Sequence, residues 1–243
     1  MSKAVAESKG TELAVSTDAD VWGNVVVESK DFIMPRILLQ QAMSEAVKER
    51  VANDGDYLNT LTSSVCSNKD GEINILPFLC KQSYTVEKWN GSKFVYDHVD
   101  PYVEGVERKW EENINGIRYK VIHCYNFFCL LEEGGLPAIV PFKSTSHKTG
   151  QRLFNLMYVS NRQQTPAFPK GKTPAHNWIT LGRKQDSNKD GDKYYVSEIE
   201  LGRESTQEEL KECLPWIKVI NSANYKEADE KAPSQTTTTE TRF

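Results

Sequence analysis

The sequence predicts a mainly β protein of α+β class, an antiparallel OB-like or Greek-key barrel with three peripheral helices. Three observations lead there. From Tyr57 onward apolar and polar residues alternate with a period of two over several runs. Turn-forming pairs such as Asp70-Gly71 and Asn90-Gly91, which supply the positive φ of tight hairpins, separate those runs. Helical spacing is confined to stretches near 37–51, 145–160 and 205–222.

The first 30 residues are mostly polar and charged and read as a disordered N-terminal segment. Its apolar island, Val21-Trp22 and Val25 to Val27, suits either a first strand or a docking peptide. A single β-rich domain is expected over 31–225. Pro35 favours an extended Met34, after which Leu39, Ala42, Met43, Ala46, Val47 and Arg50 fall at helical spacing up to the turn at Asn53 to Asp56.

Strands are expected at Tyr57–Thr62, Ile73–Leu79, Ser83–Trp89 and Phe94–Tyr96. Residues 97–116, with Pro101, Gly105 and Gly116, read as a long loop. Ile117–Leu131 and Leu136–Phe142 form the clearest hairpin; the first alternates at its start and is apolar throughout at its end, as a strand buried at one end would be. Ser144 suits the start of the 145–160 helix, Thr165 to Pro174 reads as an irregular basic loop, and Asn177–Leu181 pairs with Lys193–Ile199. Ser205-x-x-Glu208 reads as a capping box for the last helix, with Pro215 expected to kink it. Residues 226–243 form a disordered C-terminal tail with a threonine tract at 236–239. The pentapeptide Ser-Asn-Lys-Asp-Gly occurs at 67–71 and at 187–191, which reads as two uses of one turn.

Composition limits the function. No run approaches the about 18–20 apolar residues of a membrane span, and the N-terminus lacks the apolar region of a signal peptide, so the cytoplasm is expected. Five cysteines without a C-x-x-C pair read as reduced, buried thiols. Asp186-x-Asn188-x-Asp190-Gly191-Asp192 mimics a calcium loop but has Ser197 where the bidentate Glu belongs. His98, His123, His147 and His176 lack ligand spacing. Pro166 replaces the first glycine that a phosphate loop ending in Gly171-Lys172-Thr173 would need. No cofactor, metal site or catalytic motif is expected.

Charge gives the main functional signal. Gly134 to Gln185 contains eight Lys and Arg and no Asp or Glu, so this window carries +8 while the rest of the chain carries −12 of the total −4. A basic stretch in an acidic chain is the footprint of a polyanion partner. Its phosphate contacts would be Lys143, Lys148, Arg152, Lys170, Lys172 and Arg183. Aromatic residues interleave with cations between 81 and 125, and Trp89, Tyr96, Trp110 and Tyr119 are the expected stacking platforms. Each also suits ordinary strand packing.

Asp31 to Gln40 with Met43-Ser44, Gly55 to Thr60, Ile75 to Phe78 and Pro141 to Ser146 together resemble tailed-bacteriophage single-stranded DNA-binding and replication accessory proteins. The resemblance implies non-catalytic, sequence-tolerant single-stranded DNA binding in phage replication or recombination, in the host cytoplasm. It also implies contact with replication proteins through a mobile acidic tail ending in Phe. The tail here ends in Phe243 but nets only −1, with four acids against three bases. The alternative is an interaction factor that binds a host enzyme or virion component. A nuclease or recombinase comes third, because the basic stretch holds none of the carboxylates a metal-dependent nuclease needs.

Overall fold

Two long antiparallel strands, β5 (Ile73–Trp89) and β8 (Ile117–Leu131), run side by side and organise every other element. The computed structural model describes residues 33–159, 174–222 and 226–227. Each long strand changes partner along its length. The start of β5 pairs with β10 (Asn177–Ser187), which pairs with β11 (Lys193–Glu204). Its end pairs with β6 (Phe94–Pro101). The start of β8 pairs with β7 (Glu111–Ile114), and its end with β9 (Pro137–Phe142). One seven-stranded antiparallel sheet results, wide at the core end and continuing outward as a second, distal end.

The mainly antiparallel β reading therefore holds, but the sheets do not close into a barrel among the described residues. Strands of 17 and 15 residues overrun their partners, so the sheet extends where a barrel would close. One strand stands where Ile73–Leu79 and Ser83–Trp89 were expected, because Cys80, Lys81 and Gln82 stay paired with Phe127, Asn126 and Tyr125. Pro77 lies at a register shift between Pro77 and Leu79, a bulge that tolerates the missing donor. The bulge also swaps the faces, so Leu79 joins Leu76 and Phe78 on one side while Cys80 joins Ile73 and Ile75 on the other.

Both faces of the core end are buried, which explains the apolar end of β8. On face A, Tyr125, Phe127 and Cys129 join Val140, Phe142, Ile179 and Leu181. Helix α2 (His147–Phe154) covers them with Leu153, and Met157 adds to the layer from the π turn Asn155–Val159 that continues α2. On face B, Phe128, Leu130, Ile139 and Trp178 pack against Cys213 and Ile220 of helix α3 (Gln207–Asn221). The α2 and α3 regions match the expected helices.

The expected 37–51 helix is mostly absent. Ile37–Leu39 is strand β2, paired with β3 (Tyr57–Asn59), which pairs in turn with β4 (Ser64–Val65). Only α1 (Glu45–Lys48) is helical there, and Met43, counted in the helical stripe, is exposed. Pairing of Ile37 and Leu39 with a neighbouring strand outweighs their helical spacing. A two-residue parallel pair, β1 (Ile33–Met34) with β12 (Lys226–Glu227), completes the sheets.

Three local readings also shift. The capping box lies one residue on: Thr206 Oγ1 accepts from Glu209 N–H, and Glu209 accepts from Thr206 N–H. Ser205 instead donates to the Ala175 carbonyl, and the helix continues through Pro215. The 97–116 loop shrinks because β6 and β7 take both its ends. Arg108, bonded to Asp100 and Glu112 and stacked on Tyr84, ties down what remains. The repeated pentapeptide builds one turn twice. Asn68 Oδ1 accepts from Asp70 and Glu72 N–H, and Asn188 Oδ1 from Asp190 and Asp192 N–H, all at 2.9 Å. Gly71 and Gly191 supply the left-handed residue.

Candidate functional site

The fold divides the basic window. Lys148 and Arg152 are exposed on α2, over face A. Arg183 is drawn into the fold, where its guanidinium bonds Asp56 at 3.0 Å and lies 5.7 Å from the Tyr195 ring. Gly55 and Gly71 leave room for it, since a Cβ on Gly71 would come within 2.3 Å of Arg183 Nε. Lys170 and Lys172, and the Thr165 to Pro174 loop apart from its last residue, lie outside the described residues, as do the 1–30 segment and the 228–243 part of the tail. Lys143 follows β9 and lines a cavity.

The four expected aromatics separate too. By register Trp89 and Tyr96 point to face B, while Tyr119 points to face A with Lys88. Trp89 meets Phe94 edge-on at 5.1 Å, and Arg118 stacks over both rings at 5.4 and 5.6 Å. Trp110 lies under Lys120 Nζ at 4.8 Å and remains 52% exposed; Tyr96 is 66% exposed. The nearby cations are partly balanced, Arg118 by Glu111 and Lys120 by Glu87.

The concavity opens on face B and reaches around the β9 edge to Ile37, Tyr57 and Val140 of the face A core. A cavity of about 840 Å³ is lined by Arg36, Lys143 and Tyr96 among others. A smaller one of about 190 Å³ shares Arg36, Thr85 and Val99 with it and adds Lys81. Three cations thus line the two cavities against one carboxylate, Glu45. Lys81 Nζ also donates to the Ile220 carbonyl at the end of α3, 2.7 Å away, where a cation favours the helix dipole. Of the ten expected contacts, Lys143 and Tyr96 share this cavity. Arg36 and Lys81 were not among the expected contacts because they lie outside the acid-free window, and chain order gives no sign that β2 lies beside β9.

A second feature escaped the sequence. His123 on β8 and His147 on α2 meet on face A, with Nδ1 and Nε2 3.0 Å apart. Gln82 Oε1, 3.0 Å from His123 Nε2, accepts its N–H and leaves Nδ1 as the acceptor for His147. Tyr84, Tyr102 and Tyr125 pack on His123. Burial lowers the pKa of both histidines, and the neighbouring His147 lowers that of His123 further. No group of three or more His, Cys, Asp or Glu that could hold a metal occurs among the described residues. Burial pushes the Cys66 and Cys213 thiols up to about 12, so neither is a reactive thiolate at neutral pH. The carboxylates of the calcium-like loop serve their own hairpin, with Asp186 accepting from Ser187 N–H and Asp192 from Asn188. No described helix is long and apolar enough to cross a membrane.

A family model described as Pam3 phage gp34-like protein matches residues 6–213. No curated protein and no solved structure matches the chain.

Proposed function

With residues 6–213 of the 243 matched, the chain belongs to the Pam3 phage gp34-like family, and on that premise we propose that it binds single-stranded DNA in phage replication or recombination. The binding is non-catalytic and tolerant of sequence. The observation that carries this reading is face B, where the cavities lined by Arg36, Lys81 and Lys143 open beside exposed Tyr96. Cations that follow a phosphate backbone beside aromatic rings that accept stacked bases are the two parts of a sequence-tolerant single-strand site. Lys148 and Arg152, on the other face, are peripheral to it.

Anisotropy of a labelled oligothymidylate tests the proposal. Three phosphate contacts on a single strand give a log–log salt slope of about −2, or a loss of about 15–20-fold in affinity between 50 and 200 mM salt. Tyr96→Ala should cost about 1–3 kcal/mol if a base stacks there. Absence of binding at low salt refutes the proposal, and equal affinity at both salts removes its electrostatic basis.

One observation favours the alternative of a factor that docks on a host enzyme or virion component. Val99, Val103, Val106, Trp110 and Ile114 are all exposed on the distal end of the sheet. Val103→Asp combined with Val106→Asp would abolish such docking and leave strand affinity unchanged.

A further inference from the structure

We infer that the larger cavity on face B is a site for one nucleoside phosphate, held by its phosphate as well as by its base. The inference rests on the strand-binding reading for the source of that nucleotide, a strand terminus, but the site itself is defined by its own chemistry. Its volume of about 840 Å³ lies within the range of small-molecule sites, about 300–1,000 Å³. Its lining mixes aliphatic side chains such as Ile37, Leu58 and Val140 with hydroxyls, among them Thr60, Ser63, Thr85 and Ser144 to Ser146, and with Arg36 and Lys143 as its cations. Apolar walls suit a base and sugar ring, while hydroxyls and cations with a single carboxylate suit a phosphate.

One buried hydroxyl there has no partner, Ser63 Oγ. Ser146 is only 9% exposed, and at the start of α2 its side chain makes no capping hydrogen bond. Buried polar groups of this kind need an explanation, and a ligand oxygen supplies one. The backbone points to the same place. Ser63 and Ser144 have φ of 53° and 49°, and they are two of only four non-glycine residues in that region among those described. Such conformations are strained for a residue with a Cβ and gather at ligand sites.

The helical run that begins at Ser144–Ser146 and continues as α2 starts at the cavity wall, and its first turn contains no acid. Its partial positive charge and Lys143 set the phosphate position. Exposed Tyr96 on the same lining offers the base a ring to stack on. The phosphate therefore seats between Lys143 and Ser146, the sugar faces the hydroxyls, and the base covers Tyr96.

The test is calorimetric titration of the full chain with thymidine 5′-monophosphate, with inorganic phosphate as competitor, followed by anisotropy with oligothymidylates bearing a 5′-phosphate or a 5′-hydroxyl. The mononucleotide should bind, and Lys143→Ala and Ser146→Ala should each weaken it at least fivefold. Lys189→Ala, which removes a cation from the exposed 187–191 turn, should leave it unchanged. The 5′-phosphorylated strand should bind more tightly than its hydroxyl counterpart. Equal affinity in all three variants, or inorganic phosphate competing as well as the mononucleotide, overturns the inference. Strand binding without mononucleotide binding overturns it too and leaves the strand-binding reading intact. Mononucleotide binding without strand binding keeps the cavity and overturns that reading, with a free nucleotide as the ligand.

Discussion

Replacing Gly150 by alanine tests how α2 is seated, and the sign of the effect is informative. Gly150 lies in the middle of α2, where alanine is favoured over glycine by about 0.8–1.0 kcal/mol. On propensity alone the substitution would stabilise the protein. The packing says otherwise. A Cβ at Gly150 would stand 2.5 Å from Phe142 Cβ, 3.1 Å from Phe142 Cγ and 3.2 Å from Tyr125 Cβ. Ordinary carbon–carbon contact is about 3.5–4.0 Å, so α2 or β9 must retreat by about 1 Å. Phe142 Cβ is fixed to the backbone of a strand paired on β8, and Phe142 and Tyr125 are both buried, so no side-chain rotation relieves the contact. Overpacking of this kind costs about 1–3 kcal/mol. Less the gain in propensity, Gly150→Ala should destabilise by up to about 2 kcal/mol and should not stabilise. For a chain of this size that lowers the melting temperature by up to about 8 °C. Thermal unfolding by circular dichroism, with a urea midpoint as a second measure, reads the change. A higher melting temperature would refute the close seating of α2 on β9, and with it the placement of Ser146 and Lys143 at the cavity wall.

The remaining predictions use other features of the same fold. Gly182→Ala in β10 has open space around the new Cβ and no positive φ, so it should stabilise by about 0.5–1 kcal/mol, read as a raised urea midpoint. His123 and His147 have lowered pKa values in the folded state, so the unfolded chain binds more protons below the unperturbed value of about 6.5. Stability should be complete above that pH and fall as pH drops through the lowered native values, by up to about 1.4 kcal/mol per pH unit for each histidine. His123→Gln should flatten the curve between pH 7 and 5; an unchanged slope would show that the pair carries none of it. Arg183→Ala leaves the Asp56 carboxylate, 11% exposed as a side chain, without its ion pair. It should cost about 2–3 kcal/mol in denaturant unfolding while strand affinity stays as in the parent protein.

Where patterns were local and strong, the sequence was legible. Ile117–Leu131 stands as read because its alternating start and apolar end match a strand whose exposure changes along its length. The last helix was legible from its apolar face, although two candidate boxes overlapped at Ser205 and Thr206. Bonds from Ser205 to the turn at 175–176 and from Arg203 to Glu209 decide between them, and no local rule anticipates either. The Arg203 pair also holds the Glu209 carboxyl at about 2. The first helix was misread because Ile37 to Leu39 has spacing that serves two structures. Pairing with residues twenty positions further on chose the strand. The break expected between Leu79 and Ser83 was misread in the opposite direction, since the polar Lys81 and Gln82 stay paired with β8 and the strand runs on.

The candidate site was legible only in part because charge along a chain is not charge in space. The acid-free window contributes Lys143 to the cavity and sends Lys148 and Arg152 to the other face. Arg183 meets a carboxylate 127 positions away in sequence. The excess of cations that counts is therefore the one around the face B cavities, and two of its members, Arg36 and Lys81, come from parts of the chain with ordinary local charge. The same reasoning applies to the aromatics. Trp89 and Tyr119 lie on strands paired through Lys88, yet the pleat sends them to opposite faces. A single strand of DNA running over face B would pass Tyr96 and miss Tyr119, so composition near a strand pair overstates the platforms available to any one ligand.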